Sequence, residues 1–159
     1  MTVFGLTDIA ILEEGQAFAE GLRRRNGAQI IEDADRFAGL FGGFDRYFSG
    51  EPISLDVELA PAGTPFELSV WAALREIPWG ATLSYGEVAA RLKRPHAARA
   101  IGAAAGANPL PLVVPCHRVI RADGSIGGYS GGGGVEFKRA LLTLEGVAMP
   151  GRAGPAQAD

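Results

Sequence analysis

The chain has 159 residues, room for one ordinary domain or for two small lobes sharing an interface. Apolar residues make up 47% and charged residues 21%, a balance that excludes wholesale disorder. No apolar run approaches the roughly 20 residues of a membrane span. Residues 1–15 show neither the basic start nor the small-residue cleavage site of a secretory signal. One cysteine excludes an intramolecular disulfide, and with two histidines it cannot complete a four-ligand structural zinc site. The expectation is a soluble, cytoplasmic protein with one free thiol, no metal or other cofactor, and no membrane partner.

A net charge of −3 argues by itself against a general nucleic-acid binder. The average hides an asymmetry. Residues 1–58 hold five Arg against eleven Asp and Glu, whereas residues 80–121 hold six Lys and Arg against Glu87 alone. A phosphate backbone responds to that local field rather than to the average. Ordinary solvated surface charge would give the same counts.

Residues 2–12 mix β-branched and apolar side chains, which predicts a strand. Residues 13–25 read as a short helix whose Arg23, Arg24 and Arg25 suit the negative end of its dipole. Phe37, Leu40, Phe41, Phe44, Tyr47 and Phe48 then recur at helical spacing, predicting a helix with an aromatic stripe packed in the core. Asp33 or Asp35 would cap it and Gly50 would stop it. Pro52, Pro61 and Gly63 mark a connector, with a lobe boundary near Leu59.

Thr64-Pro65-Phe66-Glu67 is a capping box with proline at the first helical position. Phe66, Val70, Trp71, Leu74 and Ile77 supply that helix's buried face, and Pro78 marks its end. Ser84-Tyr85-Gly86-Glu87 repeats the box and opens a helix to about Lys93, and Pro95 opens another to about Ala107. Two short helices joined by a tight turn, beside a basic cluster, suggest a helix-turn-helix. The apolar run Leu110 to Val114 predicts a buried strand or extended segment. Seven glycines between 124 and 134 require a loop, one able to bring backbone close to a ligand. It lacks the Gly-Lys-Ser/Thr ending of a phosphate-cradling loop. A final amphipathic helix from Glu136 to Glu145 turns Phe137, Leu141, Leu142 and Leu144 inward, with Gly146 as its cap. Residues 151–159 read as a disordered tail.

Reactive side chains gather at Pro115-Cys116-His117-Arg118. A lone cysteine is most often a small buried hydrophobe. A neighbouring histidine, with Arg118 and Arg121 favouring the thiolate, points instead to a nucleophile. Adjacent side chains of an extended segment face opposite ways, so Cys116 and His117 need a turn or a bridging water. A histidine acting as base also needs a third group to hold its tautomer. Glu145 is the carboxylate that the pattern places near the core, unless it is an ordinary surface residue of a last helical turn.

The ordered set Gly63-Thr64-Pro65-Phe66, Ser84 to Ala89, Arg99 to Ala104, Asn108-Pro109, Val114 to Ile120, Gly127 to Gly132 and Lys138 to Glu145 strongly resembles the O6-alkylguanine-DNA alkyltransferase family. The resemblance covers about residues 63–147, and residues 1–58 match only loosely. It implies that Cys116 accepts an alkyl group from O6 of guanine, once per chain, because a thioether has no good leaving group. It implies that His117 deprotonates Cys116 through a water and that Glu145 orients the imidazole. Tyr85 would donate to the departing guanine, and Asn108 would organise the hinge between the recognition helix and Cys116. Arg99 would enter the duplex as the damaged nucleotide flips out, with Ala98 and its neighbouring alanines keeping that helix slim enough for the minor groove. Tyr129 and Ser130 would close over the base, Val119 would wall the pocket, and Arg118 would join the DNA-binding set. Two departures stand out: Glu67 where the family usually has glutamine, and Gly133-Gly134 lengthening the loop.

The expected architecture is α/β (α+β). Residues 1–58 would form a small, reduced ribonuclease-H-like lobe, and residues 59–150 a winged-helix-like lobe with the helix-turn-helix. The expected partner is double-stranded DNA, bound by a monomer. Two rivals are a non-enzymatic, alkyltransferase-like damage sensor and a cysteine hydrolase built on Cys116, His117 and Glu145.

Overall fold

The computed structural model describes residues 5–10, 20, 21, 24, 35–53, 55 and 57–148. The helix expected at 13–25 falls almost wholly outside them, as does the tail 151–159. The strand expected at 2–12 is described only at 5–10, where Leu6 makes a single parallel bridge to Leu59.

Among the described residues the fold is mixed and helix-rich, with one small parallel sheet. The helices described in full are α1 (Ala38–Phe48), α2 (Pro65–Arg75), α3 (Tyr85–Arg91), α4 (Ala98–Gly106) and α5 (Gly134–Leu144); the strands described are β1 (Leu83–Ser84) and β2 (Val119–Ile120). Both capping boxes form. The Thr64 hydroxyl accepts from Glu67 N at 3.2 Å while Glu67 Oε2 accepts from Thr64 N at 2.8 Å, and Ser84 and Glu87 reproduce the arrangement.

Helices α2, α3 and α4 enclose the main core through Val70, Leu74, Val88 and Ile101, all fully buried. Truncating Leu74 to alanine there would destabilise by about 2–5 kcal/mol. Trp71 ties α2 to α4 through Nε1 to Ala104 O at 2.8 Å. A second cluster joins Tyr47 of α1, Leu112 and Leu141 of α5.

Several elements depart from the sequence expectations. Helix α1 starts after a 3-10 turn at Asp35–Phe37 and has no side-chain cap. Its aromatic stripe is core only in part: Leu40 and Tyr47 are buried and Phe44 packs against the second cluster, while Phe41 and Phe48 are about half exposed. Helical spacing identifies one face of α1 without saying how much protein covers it. Pro95 precedes α4 in a turn rather than opening it, and the helix begins at Ala98. Leu110 to Val114 is buried as expected, yet it winds through turns, with Leu112 at a left-handed φ of 72°. Strand pairing falls instead on Leu83↔Val119 and Ser84↔Ile120. That parallel pair holds Tyr85, the first residue of α3, beside the turn that carries Cys116.

Candidate alkyl-acceptor site

Cys116, His117 and Arg118 form a 3-10 turn behind Pro115, and all three are buried. The segment is therefore not extended, and the turn replaces the opposite-facing geometry expected of a strand. Asn108 follows α4 and braces this turn. Its Nδ2 donates to Val114 O at 2.8 Å and to Cys116 Sγ at 3.2 Å, and its Oδ1 accepts from Leu110 N at 3.0 Å.

Glu145 caps the C-terminal end of α5 and is 3% exposed. The His117 imidazole meets it through Nε2 to Oε1 at 2.8 Å. Nδ1 is buried without a hydrogen-bond partner. With Nε2–H committed to a carboxylate, Nδ1 is left as the basic nitrogen. Burial alone would push Glu145 up, but hydrogen bonds from His117 and Arg118 overcome it and hold its carboxyl at about 2. Burial pushes the His117 imidazole down despite the Glu145 carboxylate beside it. Buried as a neutral ring, it keeps Nδ1 unprotonated as an acceptor.

Arg118 corrects one expectation. It is 8% exposed, and its guanidinium is engaged by Glu145 and by Ile77 O at 2.6 Å. Its guanidinium is turned inward, with its charge matched by Glu145, rather than exposed as a surface cation. The expected lowering of the Cys116 thiol also fails. Burial pushes it up, against the opposing effects of the Asn108 hydrogen bond, Tyr129 and Lys138. The thiol therefore needs a base.

Cys116 opens onto a cavity of about 510 Å³ whose lining includes Tyr85, Ala98, Arg99, Tyr129 and Ser130. Gly102 and Gly127 bring backbone against the Tyr85 ring: a Cβ on Gly127 would lie 3.3 Å from Tyr85 Oη. Burial first, then any negative charge on Cys116, pushes Tyr85 up, so it stays a neutral phenol able to donate. Ser130 fastens the glycine loop to α4 through Oγ to Gly106 O at 2.7 Å. A smaller cavity of about 260 Å³ also reaches Cys116 and Tyr129, from the side of Pro111 and Gly131. Val119 corrects a second expectation. It is fully buried in the main core and is not part of the larger cavity's lining.

Two functional side chains escape a reading of the sequence. Lys138 is 1% exposed, and its Nζ donates to Val119 O at 2.6 Å. Burial draws its ammonium down to about 8, against the pull of Cys116. A signal for it exists, since Lys138 lies three and four residues before Leu141 and Leu142 on the inward face of α5. Tyr47 donates to Glu145 Oε1 at 2.6 Å, a contact that no local pattern announces.

Residues 65–147 match the family model described as 6-O-methylguanine DNA methyltransferase, DNA binding domain. That is just over half of the chain. The chain belongs to this family. It is 42% identical over 138 residues to the methylated-DNA–protein-cysteine methyltransferase of Methanosarcina acetivorans, covering 84% of this chain and 87% of that one. The protein of the same name from Mycobacterium tuberculosis is 50% identical over 118 residues, 74% of this chain and 70% of its own. A crystal structure of Mycobacterium tuberculosis OGT in complex with DNA superposes with a TM-score of 0.66 at 52% identity, covering 69% of this chain and 66% of that one. The methyltransferase family model takes in the cavity, the Cys116 turn and Glu145 but stops short of α1, so Tyr47 lies outside it.

Proposed function

We propose that the protein repairs DNA by moving a methyl, or a larger alkyl group, from O6 of guanine to Cys116. His117 Nδ1 takes the thiol proton through a bridging water, and the resulting thiolate attacks the alkyl carbon in line. The S–C bond forms as the C–O6 bond breaks. Tyr85 donates to the departing guanine, which would otherwise leave as an anion in a dry pocket. The product is a thioether with no onward leaving group, so each chain reacts once.

The observation that carries this reading is the shared cavity. One opening of about 510 Å³ brings together the nucleophile Cys116, the donor Tyr85 and the exposed cation Arg99. A base edge inside a duplex is sterically blocked, so the nucleotide is extruded, at a cost of a few kcal/mol. Arg99 fills the gap, and Tyr129 and Ser130 close on the flipped base. The packing of α3 against α4 across a short turn supports a helix-turn-helix, with Ala98 and the following small residues of α4 lying in the minor groove. In this reading residues 59–150 are a winged-helix-like unit, residues 1–58 a small ribonuclease-H-like lobe, and the protein acts as a cytoplasmic monomer. Among the described residues no helix is long and apolar enough to cross a membrane.

Intact-mass measurement after exposure to duplex DNA containing O6-methylguanine tests the proposal. The expected gain is one CH2 per chain, mapped to Cys116 and absent from Cys116→Ala. Repeated turnover, or transfer that survives the substitution, overturns it.

A further inference from the structure

Tyr47 stands on α1, upstream of the matched stretch 65–147, yet its hydroxyl reaches the centre of the relay. The ring is 2% exposed and is fixed edge-on to Trp79 and Phe48, with centroids 5.0 and 5.3 Å away. Only Oη engages the site. It donates to Glu145 Oε1 at 2.6 Å and lies 3.3 Å from His117 Nε2. Burial, followed by the Glu145 hydrogen bond, pushes this phenol well above its ordinary value, so it remains a donor.

Glu145 Oε1 thereby accepts from His117, Tyr47 and, at 2.9 Å, Arg118 Nη2. Oε2 accepts from Arg118 Nε at 2.8 Å and from Gly80 N at 3.4 Å. A carboxylate offers about four lone-pair sites, so its accepting capacity is filled. The carboxylate therefore cannot rotate away from Nε2 without breaking other bonds. The charge it presents to the imidazole is also shared with a short, strong donor, which tempers how far it can raise the basicity of His117.

We infer that Tyr47 is a positioning residue for alkyl transfer: its hydroxyl locks Glu145 Oε1 onto His117 Nε2, leaves Nδ1 as the base, and moderates the carboxylate's hold on the imidazolium. This rests on the transfer reading above and deepens it. Helix α1, outside the DNA-binding unit, then completes the proton relay. The charged and titratable groups around His117 are Glu145 at the end of α5, Lys138 within α5, Arg118 and Cys116 on its own turn, and Tyr47 from α1. Arg118 and Lys138 oppose its protonation and Glu145 favours it. Tyr47, a neutral donor, acts by way of the carboxylate, which Arg118 also holds.

Tyr47→Phe in the full chain removes the hydroxyl and keeps the ring. With Glu145 released from one donor, the His117 imidazolium is held better, and its titration followed by NMR moves to higher pH. The acid limb of the single-turnover rate on O6-methylguanine duplex moves the same way, and the rate at neutral pH falls about tenfold, the scale of one lost hydrogen bond to a charged group. Phe48→Leu disturbs the same ring packing without touching the relay, and its profile should superpose on that of the parent chain. The inference is overturned if Tyr47→Phe leaves both the His117 titration and the rate profile in place, even with a lowered melting temperature. It is equally overturned if Phe48→Leu shifts them as much. Because the NMR titration is read on the free protein, it decides this inference even if the parent chain transfers nothing, a result that would count against the proposed function alone.

Discussion

Arg118 holds Glu145 by both carboxylate oxygens, Nε to Oε2 at 2.8 Å and Nη2 to Oε1 at 2.9 Å, with the Glu145 side chain fully shielded from solvent. A bidentate pair in this setting fixes geometry more than it adds net stability. Removing one partner is another matter, because the other is left charged and buried. Arg118→Met should destabilise the fold by about 3–5 kcal/mol, read as a drop in the denaturant midpoint at neutral pH. A change no larger than that of an exposed arginine such as Arg91 would show that the pair is solvated.

The same carboxylate sets an acid limit. Its pKa falls from an ordinary 4.5 to about 2 in the folded chain. Between those values the unfolded chain binds the proton and the folded one does not. The stability Glu145 contributes is therefore complete above about pH 4.5 and is lost as pH falls toward about 2. Glu145→Gln should flatten the pH dependence of unfolding across that window while lowering stability at neutral pH. An unchanged slope would mean that other carboxylates carry the acid transition.

Much of this is legible in the amino-acid sequence, and the pattern of what is not has physical causes. The capping boxes at Thr64 and Ser84 are local, so their chemistry is complete within four residues of sequence. The Cys116-His117 pair is readable as chemistry but not as geometry, because a 3-10 turn behind Pro115 leaves no periodic signature. A charge count cannot say which cations face inward, and Arg118, one of the six cations of residues 80–121, is buried on Glu145. Helical spacing correctly marks Tyr47 as buried. Its role depends on a hydrogen bond spanning 98 residues, which no local pattern encodes.

Lys138 carries a positive charge into the core beside the Cys116 turn, and its pKa of about 8 is well below the ordinary 10.5. Lys138→Met should push the Cys116 thiol still higher by removing an opposing cation. Alkylation by iodoacetamide near neutral pH should slow by about tenfold, and alkyl transfer should slow with it. In the parent chain, the unfolded state binds the extra proton between about pH 8 and pH 10.5, so stability should rise with pH across that window. The methionine variant should lose this rise. Equal thiol reactivity in the two proteins would rule out electrostatic support from Lys138.

Arg99 is exposed at the mouth of the larger cavity, on the second residue of α4. If it fills the gap left by an extruded nucleotide, Arg99→Ala forfeits part of the unstacking cost, a few kcal/mol. Single-turnover transfer from duplex DNA should fall by about one to two orders of magnitude, and much less for the free alkylated base, which needs no extrusion. Equal losses on both substrates would instead make Arg99 part of the base pocket. A uniform weakening with a shallower salt dependence would make it a phosphate contact.

Gly131 lies where a side chain has no room. A Cβ there would run into the Tyr129 ring, within 2.8 Å of its Cζ, so the ring, which packs against the main core and lies 6.4 Å from the Phe137 ring, has to shift. Tyr129 borders both the cavity of about 510 Å³ and the smaller one of about 260 Å³ on the Pro111 side, so it partitions the approach to Cys116. Gly131→Ala should drive the ring toward the thiol and narrow that approach. Transfer of a benzyl group should slow more than transfer of a methyl group, because the larger group needs more of the space that the displaced ring takes up. The global fold should be unaffected, since Gly131 is in the loop rather than in a helix or strand. Paired single-turnover rates on the two guanine adducts check this. Equal slowing on both would show that Tyr129 limits access of the base itself, and no slowing on either would show that the ring turns outward.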